Sequence, residues 1–195
     1  SVLIAKAYKE SDASIVTPMY AISPILVLVT SFLILGETPT AAGMVGIFFI
    51  TLGAYTLKIK GAKTIFEPLQ KLWDERGVQL ILVVLLIYSV TANVDKIAVG
   101  MSSPVMWPLT VYTLSSIFLL PVMIKKSDNW AQKIKSDWRP LALLGVLGGL
   151  AIILQMTALE LTLVSYVIAI KSLSIPLAVV FSYFLLNEKD SFKER

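Results

Sequence analysis

Long apolar runs separated by short polar breaks make up most of this chain. Apolar residues dominate about 13–35, 40–57, 77–99, 104–124, 140–160 and 164–187, after a shorter run at 1–9. Most of these runs approach the roughly 20 residues that a helix needs to cross a hydrocarbon core about 30 Å thick. They do not alternate as the strands of a membrane barrel would. In lipid each backbone N–H needs a partner within its own segment, so the runs predict seven helices. Pro24 and Pro176 fall inside two of them and predict kinks, because a proline removes one backbone donor and crowds the preceding turn. Gly145 with Gly149, and Ala42 with Gly46 and Gly53, have the spacing that lets neighbouring helix backbones approach.

One stretch occurs twice. Leu3–Glu37 aligns without a gap on Leu154–Glu188 at a shift of 151, with ten identities in 35 positions. Segments this apolar match often by chance, so the order of features carries the argument. Each copy has a short polar hinge, a long apolar run with a proline inside it, and a closing glutamate. Matching helices stand five apart in chain order, so each copy should cross the membrane in the opposite sense. That is the plan of many secondary transporters, with a solute site near the midplane. The expected fold class is therefore all-α, a polytopic transmembrane helix bundle of two inverted five-helix repeats. That makes ten helices in a full protein, of which about seven are present in this sequence, which we read as a fragment. Residues 1–60 would be the later part of the first repeat, 61–76 a basic amphipathic loop, and 77–195 the second repeat without its last helix.

Composition agrees with a membrane protein. The chain is 56% hydrophobic and 15% charged, against about 25% charged in soluble domains. A soluble enzyme is excluded on that ground. It has no Cys and no His, which removes thiol chemistry and the commonest general base and metal ligand. No metalloprotease, hydrolase or nucleotide-binding signature occurs. The expectation is no catalytic residue, no cofactor, no metal and no nucleic-acid partner. The net charge of +4 sits between the apolar runs. Lys58, Lys60, Lys63, Lys71 and Arg76 crowd one loop, and Lys125, Lys126, Lys133, Lys135 and Arg139 another. The breaks at 36–40, 100–103 and 161–163 hold no Lys or Arg. The positive-inside rule places the basic set in the cytoplasm. Ile65, Leu69, Leu72 and Trp73 share a helical face, as do Trp130, Ile134 and Trp138, with headgroup anchoring as the plain reading.

Several polar residues lie deep in the runs. Lys171 stands in SYVIAIKSLSIP, where a lysine costs roughly 2.5–3.5 kcal/mol on insertion scales. It either snorkels or pairs with Glu160 or Asp95, or it lines a wet cavity and holds an anionic group. Its counterpart in the earlier copy is Tyr20. Thr17, Tyr20 and Ser23 form one stripe, Lys171 and Ser174 another. On the fourth run Asn93 and Lys96 share a face, and they either mark the interface or face the cavity. Cavity candidates are thus Lys171, Tyr20, Asn93, Lys96, Ser174 and Thr17. Glu37 and Glu188, just past helix ends, would cap the N-terminus of the next helix.

The run DASIVTPMYAISPILVLVTSFLILGE, followed by GMVGIFFITLGAY, resembles the EamA-type repeat of the drug/metabolite transporter superfamily. SYVIAIKSLSIPLAVVFSYFLLNEK is similar to the same place in the second repeat, with Asn187 where the family usually has Gly. The resemblance implies ten helices and alternating-access transport of a small organic solute: an amino acid, sugar phosphate, nucleotide sugar or drug-like metabolite. It also implies both termini in the cytoplasm, opposite to the charge count, so orientation stays open. A multi-pass protein of the plasma or inner membrane is expected, with the bilayer and a small-molecule substrate as partners and a homodimer left open. The alternative is a non-transporting subunit, or a component of a lipid-linked-sugar flippase, assisting an envelope enzyme.

Overall fold

The computed structural model describes residues 2–11, 16, 18–58, 74–126, 130–174 and 177. Among them it is helical, with no strand. α1 is Val2–Glu10, α2 Ser23–Leu35, α3 Ala41–Lys58, α4 Arg76–Met101, α5 Met106–Lys126, α6 Trp130–Ser136, α7 Trp138–Leu161 and α8 Val164–Ser172. α4, α5 and α7 are each long and apolar enough to cross a membrane. Each long apolar run thus gives a helix among the described residues, and the short α6 carries Trp130 and Ile134 of the second amphipathic face, with Trp138 opening α7. The face of Ile65, Leu69, Leu72 and Trp73, the kink at Pro176 and the cap at Glu188 all lie outside the described residues.

Pro24 sits at the start of α2, directly after a 3-10 turn at Tyr20–Ile22. As a proline it cannot donate to the carbonyl four residues back, that of Tyr20. The Ser23 N–H takes that carbonyl instead and tightens the turn. The discontinuity predicted at Pro24 is therefore a change of helix type. At the other end Gly36 adopts φ 68°, a left-handed geometry that suits glycine, and its N–H bonds the Phe32 carbonyl at 3.1 Å.

The chain packs as two compact units, Ser1–Asn93 with Leu163–Arg195, and Val94–Thr162. In the first, Ala7, Val16, Met19, Val78, Ile81 and Leu85 form a core between α1, the approach to α2 and α4. Gly77 permits this contact, because a Cβ there would lie 2.6 Å from the Ala7 carbonyl oxygen. α8 packs on α2 and α3. The buried face of α2 carries Ser23, Val27 and Ser31, while Phe32 and Leu33 point outward. α3 likewise buries Ile47, Thr51, Ala54 and Tyr55 and exposes Phe48 and Phe49. Serine, threonine and alanine thus share the inner faces with Val27, Ile47 and Tyr55, while phenylalanines face outward, which suits a lipid solvent where apolar groups gain little by hiding. Hydroxyls within helices bond their own carbonyls, as Ser31 does to Leu28 and Ser89 to Leu86.

α2 and α8, which belong to the two copies of the duplicated stretch, run antiparallel. Glu37, just past the end of α2, accepts the Val164 N–H at the start of α8 at 2.9 Å. Tyr20 and Ser23, at the beginning of α2, meet Lys171 and Ser174 at the far end of α8. Glu37 thus caps α8, a partner that chain order does not suggest. Beside it the Tyr166 hydroxyl accepts the Thr40 N–H at 3.1 Å, and the Thr40 hydroxyl caps α3 by accepting the Gly43 N–H at 3.1 Å. Of the small residues on α3, Gly43 has the close neighbour. A Cβ there would lie 2.6 Å from ring carbons of Tyr166, whereas Gly46 and Gly53 have nothing within 4 Å among the described residues.

In the second unit α5 and α7 leave most of their length exposed. Between them is a cleft of about 600 Å³, lined by Leu109, Tyr112 and Thr113 on one side and by Gly145, Gly148 and Gly149 on the other. Among the described residues Gly145 and Gly149 meet no atom within 4 Å of an added Cβ. That pair thus faces the groove and, among the described residues, no close helix neighbour. At the start of α7, Trp138 is exposed and the Arg139 guanidinium lies 5.7 Å from its ring centre.

Candidate functional site

A pocket of about 340 Å³ opens in the first unit, where the two antiparallel copies and α4 come together. The earlier copy contributes Tyr20 and Ser23. In a 3-10 turn residues three apart eclipse, so the turn before Pro24 stacks these two side chains on one face. The later copy contributes Ile168, Lys171, Ser172 and Ser174. Lys171 lies in the last turn of α8, where the helix dipole favours a cation. α4 adds Val84, Leu85 and Tyr88, and α1 adds Ile4. The Lys171 Nζ lies 6.0 Å from the Tyr88 ring centre, at the outer edge of a cation–π contact. The Ser172 hydroxyl donates to the Ile168 carbonyl at 3.0 Å.

The shift of 151 relates Tyr20 to Lys171 and Ser23 to Ser174, and all four line this one pocket. Two duplicated pairs facing a common space is the arrangement that an inverted duplication produces around its axis. The described lining holds one type of charged group, an ammonium, together with hydroxyls and aliphatic carbons.

The other candidates lie elsewhere. Asn93 is fully buried. Its Nδ2 donates to the Thr30 hydroxyl on α2 at 2.9 Å and to the Ser89 carbonyl at 2.7 Å, so it ties α4 to α2. Its Oδ1 has no hydrogen-bond partner among the described residues. Lys96 belongs to the second unit, where its Nζ donates to the Thr162 carbonyl at 2.7 Å, at the C-terminal end of α7. In the same unit Asp95, considered above as a partner for Lys171, accepts the Trp107 indole N–H at 2.9 Å. The same bond holds Trp107 at the start of α5. Thr17 lies outside the described residues.

Tyr88 was not singled out by the sequence. The duplication could not point to it, because α4 has no second copy in this chain, and on a helical projection it groups with Thr91 and Asp95. Among the described residues no cluster of three or more His, Cys, Asp or Glu could hold a metal ion.

The model of the EamA-like transporter family matches residues 1–58 and 75–194. None of the curated proteins and none of the solved structures matches the chain.

Proposed function

The chain belongs to the EamA-like transporter family, and on that footing we propose that it moves a small organic solute across its membrane by alternating access. The membrane proposed is the plasma or inner membrane. The site proposed is the pocket of Tyr20, Ser23, Tyr88, Lys171 and Ser174. One observation supports this reading above the rest: duplicated residue pairs from antiparallel copies line a single cavity. A site on such an axis can be uncovered toward either face by the same motion applied to either copy. The two stretches matched by the family model leave out 59–74, and we propose that this basic stretch joins the two repeats. Asn93 is proposed as the tie that holds α4 against the pocket wall, and Lys96 as a support for the end of α7 in its own unit.

The test is counterflow of labelled metabolites into liposomes holding the full chain. Ser174→Leu narrows the pocket and should cut uptake of a carried solute by at least about tenfold, whereas Thr113→Val, in the α5–α7 cleft, should leave it unchanged. Equal uptake by wild type and Ser174→Leu would remove the pocket from the pathway.

A further inference from the structure

We propose that Pro24 is a positioning residue of the pocket. By withholding a backbone N–H from the Tyr20 carbonyl it keeps Tyr20 in phase with Ser23. The Tyr20 phenol thereby becomes a wall that sets how wide a solute the pocket admits. This deepens the transport reading, on which it rests for its biological sense.

The effect starts at one carbonyl. In an α-helix the Tyr20 carbonyl would accept the N–H four residues on, which is that of Pro24, and proline has none. The proline ring also crowds that carbonyl. Ser23, three residues on, donates to it instead, and Tyr20–Ile22 winds as a 3-10 turn between helical residues on either side. Successive residues turn by about 120° in a 3-10 helix and by about 100° in an α-helix. Over the three steps from Tyr20 to Ser23 the two windings differ by about 60° of rotation and about 1.5 Å of rise. In the tight turn the two side chains eclipse, and both line the pocket. An α-helical winding would turn one of them off that wall by about 60°.

The helix is held on both sides of the turn, so the difference in phase falls on the turn itself. Upstream, Val16 and Met19 are buried in the core with Ala7, Val78, Ile81 and Leu85. Downstream, Ser23, Val27 and Ser31 form the buried face of α2. Pro24 is itself buried and is not among the described lining residues, so it reaches the pocket through the backbone. The later copy shows a like tightening at the matching place. There the Leu173 N–H bonds the Ile170 carbonyl, three residues back, at 3.0 Å, as α8 gives way between Lys171 and Ser174. In both copies a three-residue turn therefore falls where the paired pocket residues stand.

The test compares two replacements at position 24 in the full chain, held in nanodiscs. Pro24→Ala restores the backbone N–H. The α-hydroxy acid with the same methyl side chain has an ester oxygen there and restores none. Both leave the same space where the ring was, and they differ in the donor. The chain has no cysteine, so Ser174→Cys supplies a single thiol in the pocket, and its rate of reaction with N-ethylmaleimide reports the width of the space around it. Fluorotyrosine labelling reports Tyr20, whose resonance is assigned by its loss in Tyr20→Phe. Pro24→Ala should move that resonance and speed the thiol reaction at least about threefold, whereas the hydroxy acid should leave both near wild type. In a Tyr20→Ala background Pro24→Ala should add nothing to the rate, because its effect passes through the phenol.

Equal behaviour of the two replacements, an unchanged rate in Pro24→Ala, or the same increment with and without the phenol would each overturn the proposal. A second replacement keeps the proline, should Pro24→Ala not fold. Exchanging Ser23 for its own hydroxy acid removes the N–H that closes the turn, and a Tyr20 resonance unmoved by that exchange would overturn the proposal too. Neither readout needs a carried solute. A failure here leaves the transport reading standing, and failed counterflow leaves the role of the turn standing.

Discussion

Gly43 and Tyr166 meet so closely that a methyl group between them must displace the ring. Gly46 and Gly53, one and three turns further along α3, have no described atom within 4 Å of where a Cβ would sit. The three glycines look alike in sequence, and GMVGIFFITLG names the later two as readily as the first. Their responses to alanine should separate. Gly43→Ala should lower the unfolding midpoint in detergent, whereas Gly46→Ala and Gly53→Ala should leave it equal or raise it. Alanine is favoured over glycine inside a helix by up to about 1 kcal/mol. Asn93 makes a comparable case. Its amide spans α4 and α2 through Thr30, and interhelical hydrogen bonds of this kind in membranes average about 0.6 kcal/mol, reaching about 1.7. Thr30→Val should therefore cost on the order of 1 kcal/mol, measured by reversible unfolding in mixed micelles, while leaving the pocket lining intact.

Helices were legible because lipid leaves the backbone no other arrangement, and their lengths follow from the width of the apolar runs. What each helix faces was less so. The runs are apolar on all sides, and their inner faces differ from the outer ones by a few serines, threonines and glycines. Glu37 shows the limit. Its place after α2 and Gly36 marks it as a cap, but chain order suggests α3 and the structure gives α8. A residue 127 positions away cannot be chosen from spacing alone. Removing a cap costs about 0.5–2 kcal/mol. Glu37→Ala should lower the unfolding free energy by that amount, measured by reversible unfolding in mixed micelles, and Glu37→Gln, which retains a carbonyl acceptor, by clearly less. α8 should be the segment that loses amide protection, as read by hydrogen exchange.

At the scale of the whole chain, the duplication told most. It named Tyr20, Lys171 and Ser174 as members of one stripe system, and these share a pocket. It could not reach Tyr88, nor separate Lys96 and Asn93, which are neighbours on one helix with different tasks. Those assignments depend on what packs across from α4, and the sequence holds no record of that. The antiparallel course of α2 and α8 can be checked directly, because the chain has no cysteine to interfere. Glu37→Cys with Val164→Cys should form an oxidative cross-link in membranes, and Ser23→Cys with Val164→Cys should not. The reverse pattern would mean that the copies run the same way.

Two like pieces set head to tail confer no up or down of their own. Where both carry the same side chain, as with Ser23 and Ser174, the two copies offer the pocket the same group. A sense of direction needs groups that differ between the copies or have no counterpart, such as the phenol of Tyr20 set against the ammonium of Lys171, and Tyr88 on α4. On the proposed transport reading, exchanging Tyr20 and Lys171 would keep both functional groups while reversing the order in which an incoming solute meets them.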